Sequence, residues 1–384
     1  MALYNKYRPV SLDMIIGQDA VKRVLTGQIK RNDTSNAYLF IGKAGTGKTT
    51  VARILSAMLC DSEGVTLTPR AEDENVSQIL SGRSGIDVTE IDGASNRGID
   101  NAREIKKSAE FPPISMRYKI WIVDECHALT NDAWNALLKV IEEPPSYVVF
   151  IFCTTESEKV PETIKTRCTM LSFKELTTPQ ILGAIKEISD KEGYDANDEV
   201  LKMIAMSARG SMRQAINSLE HVFSSGEEVT AASVSSQLGT PSASSARNFV
   251  ASVLKKDFAG ALKSSSKVIS MGVRPEDFLS MVAECLHDVT CSQSEAFSYE
   301  DYGYTQQDVA ELSQIHGDCA KFLGGGRKEV MQLVRKWIDT VNWSARLVVF
   351  NTQPQNLLDV LWISMLDDVL ELTRNMGKKR PQKT

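Results

Sequence analysis

Residues 42–49, Gly-Lys-Ala-Gly-Thr-Gly-Lys-Thr, constrain the fold more than any other segment of this chain. They match the phosphate-binding loop pattern G-x-x-x-x-G-K-[ST] at every fixed position. An apolar run at 37–41 precedes the loop as a buried strand would, and a helical pattern at 50–59 follows it. The backbone N–H groups of such a loop point at phosphate oxygens, and the helix adds its positive N-terminal end. The sequence therefore predicts a strand–loop–helix unit in an α/β fold.

Each residue type in this loop has a chemical role. Lys48 can reach the β- and γ-phosphates of a nucleotide, and the Thr49 hydroxyl can be a ligand of Mg²⁺. Glycines let the backbone curl around the phosphates. The predicted nucleotide-binding residues of the segment are Gly42, Gly45, Thr46, Gly47, Lys48, Thr49 and Thr50.

Two further apolar runs end in polar residues that suit the same edge of a sheet. The run at 118–123 ends in Asp124 and Glu125, and the run at 150–153 ends in Thr154 and Thr155. Ligands bind at the carboxyl ends of parallel strands. We therefore expect Asp124 to hold Mg²⁺ and Glu125 to polarise the attacking water. Thr154 or Thr155 would contact the γ-phosphate or that water, unless the pair only closes a strand.

Composition and charge exclude several classes of protein. No run of 18 apolar residues is present, so we expect neither a transmembrane helix nor a membrane partner. The seven cysteines are an odd number and lie mostly in isolated apolar segments, which favours reduced thiols in a cytoplasmic protein. The net charge of −5 means that any DNA contact must come from locally placed basic residues.

The pattern divides the 384 residues into parts. Strand-like and helix-like runs alternate over 1–175, which predicts an α/β domain with a parallel sheet. Residues 176–240 are helical throughout, and so is the pattern over 241–372. A short basic tail covers 373–384. In the second part, Ser211 and Gln214 form a capping-box pattern that puts Arg213 in a first helical turn. A cation is unfavourable there, which suggests a functional role, although solvated arginines are common.

The order of motifs resembles one family. The chain carries, in sequence, Tyr7-Arg8-Pro9, Gly17-Gln18, the phosphate loop, Asp-Glu-x-His at 124–127, a Glu-Glu-Pro-Pro at 142–145, Thr166-Arg167-Cys168 and Gly210-Ser211-x-Arg213. Together these motifs resemble the AAA+ ATPase subunits of sliding-clamp loaders, and most closely the gamma/tau subunits of bacterial DNA polymerase III. The resemblance is dense over 1–240 and looser beyond. The chain stops where the shorter gamma form would stop, so we expect no tau-type extension.

The resemblance implies roles that spacing alone does not give. Tyr7, Arg8 and Pro9 match a segment near the adenine, and Thr154 or Thr155 matches the first sensor. Arg213 matches the second sensor, on a helical lid. Arg167 matches an arginine finger that serves the ATP of a neighbouring subunit, with Thr166 where the family usually has serine. The helical region 241–372 matches the collar that holds a ring, a pentamer in the family, together with other loader subunits or copies of itself.

One departure from the family concerns zinc. The bacterial family carries a four-cysteine zinc module in the insertion that here covers 61–92, and only the flanking Cys60 fits a ligand position. One thiolate cannot hold a structural zinc ion. We therefore expect ATP and Mg²⁺ but no zinc, and an origin in a phage or mobile element stays open beside a bacterial one.

DNA contact is predicted at Ser95, Asn96, Arg97 and Gly98. Hydroxyl and small residues with one arginine, at a helix start, suit a phosphate. A simple helix cap is the alternative.

The main functional hypothesis is an ATPase subunit that opens a sliding clamp and places it on primer–template DNA. One alternative is another AAA+ machine, such as a branch-migration helicase, which should end in a winged DNA-binding domain. A regulatory subunit with a dead site is a second alternative, against which Lys48, Asp124, Glu125 and Arg213 argue. A small-molecule kinase would not explain Arg167 or the helical tail.

Overall fold

The computed structural model forms two compact units, which we describe separately. The first comprises Met1–Gly193 and Ala208–Glu220, and the second comprises Tyr194–Ser207 and His221–Thr384. The residues that the structure describes are 2–70, 72–224, 229–238, 243–255, 257–270, 273–291, 306–323, 327–348, 361, 363–365, 367 and 368.

A five-stranded parallel sheet forms the centre of the first unit. The strand order is β2-β3-β4-β1-β5. The strands are β1 (Ala37–Ile41), β2 (Val88–Asp92), β3 (Lys119–Asp124), β4 (Val148–Thr154) and β5 (Thr169–Ser172). All four ladders are parallel, so the carboxyl ends share one edge. This confirms the predicted α/β fold, and it brings the ends of β1, β3 and β4 together.

Helices cover both faces of this sheet. Helices in or beginning in the first unit are α1 (Leu3–Lys6), α2 (Asp19–Arg31), α3 (Lys48–Cys60), α4 (Glu74–Ser81), α5 (Ile99–Ala109), α6 (Asn131–Glu142), α7 (Glu162–Lys165), α8 (Thr178–Glu192) and α10 (Met212–Ser224). Several have side-chain caps that fix their starts. Thr130 caps α6, and Thr177 with Gln180 forms a capping box at α8.

The two faces of the sheet bury separate apolar clusters. In one cluster, side chains from one face of β1 and β4, such as Tyr38 and Ile151, pack against α2 and α3. The other joins Leu39 and Phe152 to α6, where Trp134 is 1% exposed. Alternate residues of one strand point to opposite faces, so the continuous apolar runs seen in the sequence match strands buried on both sides.

The insertion at 61–92 is attached to the first of these clusters. Val76 and Ile79 of α4 are buried in it, and Val65, Leu67 and Leu80 pack against it. The insertion is therefore held by apolar packing against the sheet domain.

The second unit is helical over its described residues. Its helices are α9 (Asp198–Ser207), α11 (Ala231–Leu238), α12 (Ala243–Leu254), α13 (Phe258–Ser270), α14 (Pro275–Cys291), α15 (Gln306–Leu323) and α16 (Arg327–Val348). Helices α12 to α16 enclose a core in which Phe249, Phe278 and Trp337 are fully buried. The Trp337 indole N–H donates to the carbonyl of Met365 at 3.0 Å.

The predicted domain boundaries near 175, 240 and 372 stay predictions, and the tail 373–384 lies outside the described residues. Among the helices that can be described, none has the length and apolar character needed to cross a bilayer.

Candidate nucleotide-binding site

The phosphate loop joins β1 to α3 and packs against the start of α10. Gly45 has a φ of +76°, and a Cβ on it would lie 2.0 Å from Ser211 Oγ. A Cβ on Gly42 would lie 2.5 Å from the carbonyl oxygen of Phe173. Both positions therefore require glycine, one for conformation and space and the other for close approach. Side chains at these positions would fill the concave surface of the loop, which has to stay free for a phosphate to bind.

Lys48 extends back over this loop. Its side chain is 5% exposed, and Nζ donates to the carbonyls of Gly42 at 2.7 Å and Lys43 at 3.0 Å. Both acceptors are neutral carbonyl oxygens, so an incoming anion would be a more favourable partner for this buried side chain. Lys48 thus lies where a phosphate would replace or share its backbone contacts.

Thr49 and Asp124 face each other at the carboxyl edge of the sheet. Thr49 Oγ1 donates to Asp124 Oδ2 at 2.7 Å. Hydroxyl and carboxylate oxygens are the donors that Mg²⁺ prefers, with the remaining positions taken by water and phosphate. The two residues predicted as magnesium ligands are therefore neighbours, and their chemistry fits the ion.

A cavity of about 810 Å³ opens beside the loop. Its walls include the predicted residues Tyr7, Arg8, Pro9, Gly45, Thr46, Gly47, Lys48, Thr49, Thr50, Asp124 and Arg213. Burial, followed by the nearby Arg53, lowers the pKa of Arg8. The Tyr7 hydroxyl donates to Glu192 at the end of α8. The structure therefore brings the segment predicted to lie near the adenine, the phosphate loop and the arginine predicted as second sensor to one cavity.

Arg213 enters this cavity from the first turn of α10. The backbone N–H of Met212 donates to the Gly45 carbonyl at 3.1 Å, which ties the helix start to the phosphate loop. Ser211 Oγ accepts from the Gln214 N–H at 3.3 Å, one half of the predicted capping box. The Arg213 guanidinium lies 4.9 Å from the centre of the Tyr4 ring, and its hydrogen bond lowers the pKa of Tyr4.

The residues predicted to act in hydrolysis lie where β3 and β4 end. Glu125 follows β3 with a left-handed backbone, φ 46°, and its Oε2 accepts from Thr155 Oγ1 at 3.1 Å. Thr154 is fully buried, and its hydroxyl lies 3.1 Å from His127 Nδ1. The two threonines therefore have different partners. Which of them acts as the first sensor stays open.

Arg167 does not line the cavity. Its guanidinium pairs with Glu142 at 2.6 Å and donates to the Thr163 carbonyl at 2.7 Å. The side chain is 37% exposed. The structure thus separates this arginine from the other predicted nucleotide contacts of its own chain.

The segment predicted to contact DNA connects β2 to α5. Asp92 accepts from Ser95 Oγ at 2.6 Å and from the Ala94 N–H at 3.0 Å, and the Ser95 hydrogen bond lowers the pKa of Asp92. Gly98 is the N-cap residue of α5, without a side-chain cap. Arg97 is exposed, and Asn96 is partly exposed. The segment is a formed turn that presents Arg97 outward.

Sequence reasoning assigned no role to three residues that build the site. Gln18 is 8% exposed with a left-handed φ of 56°, and its amide bonds the Thr46 carbonyl at 3.3 Å and the Lys174 carbonyl at 2.7 Å. Arg53 pairs with Glu90 through two contacts, at 2.6 and 2.7 Å. Only the Gly17-Gln18 pair stood out as a motif, and its partners are 28 and 156 positions away.

The chain resembles known proteins over most of its length. A family model described as "DNA polymerase III, delta subunit" matches residues 17–177. DNA polymerase III subunit gamma of Buchnera aphidicola is 34% identical over 336 residues, which cover 85% of this chain and 93% of that protein. DNA polymerase III subunit gamma/tau of Mycobacterium tuberculosis is 34% identical over 297 residues, which cover 77% of this chain and 51% of that protein. The chain therefore spans nearly all of the first relative and about half of the second. A solved structure of Thermotoga maritima RuvB covers 72% of this chain and 88% of its own, with a TM-score of 0.47 and 20% identity, too low to bear on function.

Proposed function

Because the chain belongs to the gamma/tau family of DNA polymerase III subunits, a family of AAA+ clamp-loader ATPases, we propose that it hydrolyses ATP to open a sliding clamp and place it on primer–template DNA. The arrangement of Lys48, the Thr49–Asp124 pair and Arg213 around one cavity is the observation that carries this proposal. The named relatives also favour it over a branch-migration helicase.

The residues divide the chemistry between them. Lys48 and the N–H groups of the loop hold the β- and γ-phosphates, and Arg213 contacts the nucleotide from α10. Thr49 and Asp124 would hold Mg²⁺, which neutralises phosphate charge when it is bound. Glu125 takes a proton from the attacking water, with Thr155 orienting its carboxylate.

Assembly and DNA complete the proposal. Arg167 acts on the ATP of an adjacent subunit, so turnover requires a ring, with five subunits and residues 241–372 as its collar. Arg97 and its turn contact the phosphate backbone of primer–template DNA. The protein works in the cytoplasm, with ATP and Mg²⁺ and without zinc.

Three exposed apolar residues are candidates for contact with the clamp. They are Ile86, Phe111 and Ile114, whose exposed fractions are 69%, 59% and 75%. Asp87 connects the segments that carry Ile86 and Ile114, because its carboxylate accepts from the backbone N–H groups of Ile114 at 2.8 Å and Ser115 at 2.7 Å. Although burial opposes it, these backbone donors lower the pKa of Asp87. Large exposed apolar side chains are available for contact with a protein partner.

The test is ATP turnover by the purified chain, assembled with the other loader subunits of its polymerase. We expect the cognate clamp together with primer–template DNA to stimulate ATP turnover by the wild-type chain. The Lys48→Ala variant should show no such stimulation. Phe111→Ser with Ile114→Ser should lose the clamp effect and keep the basal rate. ATP turnover that responds to neither clamp nor DNA would contradict the proposed function.

A further inference from the structure

His127 lies at the hydrolysis side of the site but has no role in the chemistry described so far. It belongs to a short 3-10 turn, Cys126–Ala128, directly after Glu125. Its side chain is 16% exposed. Nδ1 lies 3.3 Å from Glu125 Oε2 and 3.1 Å from Thr154 Oγ1, whereas Nε2 lies 3.1 Å from Glu156 Oε1. The ring therefore joins the residue that follows β3 to the residues that end and follow β4.

The two carboxylate contacts of the ring require donors on both nitrogens. An ionised carboxylate only accepts hydrogen bonds, so Nδ1 and Nε2 can both donate only when the ring carries two protons. On the far side, Glu156 also pairs with Lys159 at 2.7 Å, and Lys159 holds the pKa of Glu156 below its usual value. Glu156 thus remains a charged partner for Nε2, while Nδ1 forms a hydrogen bond with Thr154 Oγ1 and lies within ion-pair distance of Glu125.

Glu125 is held by one of its two oxygens. Thr155 Oγ1 donates to Oε2, and His127 Nδ1 lies against the same oxygen. The main chain below it is packed closely, because a Cβ on Gly93 would lie 2.8 Å from the Glu125 carbonyl oxygen. With Oε2 fixed, Oε1 can accept the proton of a water whose oxygen bonds to the γ-phosphorus while the bond from that phosphorus to the ADP oxygen breaks.

We propose that His127 is a positioning residue that fixes the Glu125 carboxylate for hydrolysis by holding Oε2, with Glu156 anchoring the opposite side of the ring. This inference rests on the proposed ATPase function. A small misplacement of a proton acceptor can cost on the order of a hundredfold in rate while leaving substrate binding intact. His127 should therefore act on turnover and not on nucleotide affinity.

A matched pair of substitutions separates the two ring nitrogens. The amide nitrogen of asparagine can replace Nδ1, whereas that of glutamine reaches the position of Nε2. We expect His127→Asn to keep turnover within about threefold of wild type, since it can still donate to Glu125. His127→Gln and His127→Ala should lower kcat by about 10- to 100-fold with little change in KM.

A second readout does not depend on turnover. The chain has four histidines, so the ring signal of His127 can be assigned in an NMR spectrum by its loss in His127→Asn. Glu125→Gln should shift this signal. Glu199→Gln, which changes an exposed residue in the first turn of α9, is the control and should not.

The outcomes are distinct. If wild type hydrolyses ATP and the Asn and Gln variants have equal rates, or His127→Ala is as active as wild type, the inference is wrong and the proposed function stands. Equal losses of melting temperature and ATP affinity in all three variants would also overturn it, by showing a purely structural role. An inactive wild type would instead contradict the proposed function, and an unshifted NMR signal in Glu125→Gln would still overturn the inference.

Discussion

Two consecutive carboxylates, for which we propose different roles, also differ in backbone conformation. Asp124 ends β3 with an extended chain, and its Oδ2 accepts from Thr49 in α3. Glu125 has a left-handed φ of 46°, which turns its side chain toward Thr155 and His127. A left-handed non-glycine residue is locally unfavourable and is held by its surroundings. The proposed assignment of Asp124 to Mg²⁺ and of Glu125 to the attacking water agrees with this difference in backbone direction.

Substitutions in these residues should separate binding from chemistry. Glu125→Gln should bind ATP normally but lose most hydrolysis, because the water loses its proton acceptor. Lys48→Ala should weaken binding itself, because it removes the cation held against the phosphates. Nucleotide affinity by calorimetry and turnover by phosphate release are measured separately. Wild-type hydrolysis by Glu125→Gln would refute the role assigned to Glu125.

The residues that line the cavity were predictable where the motif is local. The loop at 42–49 carries its chemistry in eight consecutive residues, so spacing alone located Lys48 and Thr49. Gln18 and Tyr4 were not predictable in the same way, since their partners Lys174 and Arg213 are brought near by the fold. Arg53 needs Glu90 on β2, and no helical or strand period signals such a pair.

At the scale of elements, the insertion after α3 shows how a segment can be ordered by charge. Asp61 is 1% exposed, and the Arg70 guanidinium bonds its Oδ1 at 2.6 Å. Arg70 also pairs with Glu63 and lies 3.7 Å from Asp73, which caps the N-terminus of α4. The apolar residues of the insertion pack against the sheet domain, and this cluster adds a polar anchor that the spacing of charges did not reveal.

The contribution of this anchor to stability can be tested by removing the guanidinium. Arg70→Met should lower the melting temperature, because the buried Asp61 carboxylate then loses its charged partner and keeps only the backbone donors of Glu63 and Arg70.

The same insertion carries a prediction about zinc, because only Cys60 fits a ligand position. A chelator should not change the melting temperature of the nucleotide-free protein, and elemental analysis should find no stoichiometric zinc. Tightly bound zinc at about one ion per chain would refute the prediction of a zinc-free insertion.

The pH dependence of the anchor has a defined sign. The Arg70 hydrogen bond, against the opposing effect of burial, holds the pKa of Asp61 at about 2, below its usual 3.8. A lowered carboxyl pKa stabilises the fold fully above the usual value, and this is lost as the pH falls from about 4 toward 2. The stability difference between wild type and Asp61→Asn should therefore shrink over that window, as measured by urea unfolding at a series of pH values.

The turn between β2 and α5 carries another prediction. Arg97→Ala should reduce DNA-stimulated hydrolysis on all DNA sequences alike and leave the basal rate unchanged, because an arginine bound to phosphate does not distinguish bases. The salt dependence of DNA binding should flatten by about one counterion for each phosphate that Arg97 no longer neutralises. Arg83→Ala, another exposed arginine in the first unit, is the matched control. An unchanged salt slope would return this segment to the role of a helix cap.

At the scale of the whole molecule, the sequence predicted the class of each region better than its partners. The alternation of strand-like and helix-like runs predicted the parallel sheet, and the helical pattern over 241–372 agrees with α12 to α16, because both depend on local burial patterns. Subunit contacts leave no such pattern in a single chain. Arg167 illustrates this. Its proposed partner is the nucleotide of a neighbouring subunit, and it does not line the cavity of its own chain.

The last prediction therefore concerns assembly. Arg167 pairs with Glu142 in an exposed ion pair, with side chains 37% and 42% exposed, and such a pair contributes little free energy. The arginine can thus leave Glu142 for a neighbouring nucleotide at low cost. Arg167→Ala should bind ATP normally and hydrolyse it on the order of a thousandfold more slowly.

Mixing variants tests whether Arg167 acts between subunits. Arg167→Ala has intact sites and Lys48→Ala has intact fingers, so about a quarter of interfaces in a randomly assembled ring of equal parts would pair both. Turnover of the mixture should then exceed that of either variant alone. Lys48→Ala mixed with the Lys48→Ala, Arg167→Ala double variant should gain nothing. Because a finger supplied within one chain would remain active without a neighbour, full turnover in a dilute sample shown to be monomeric would disprove the intersubunit role.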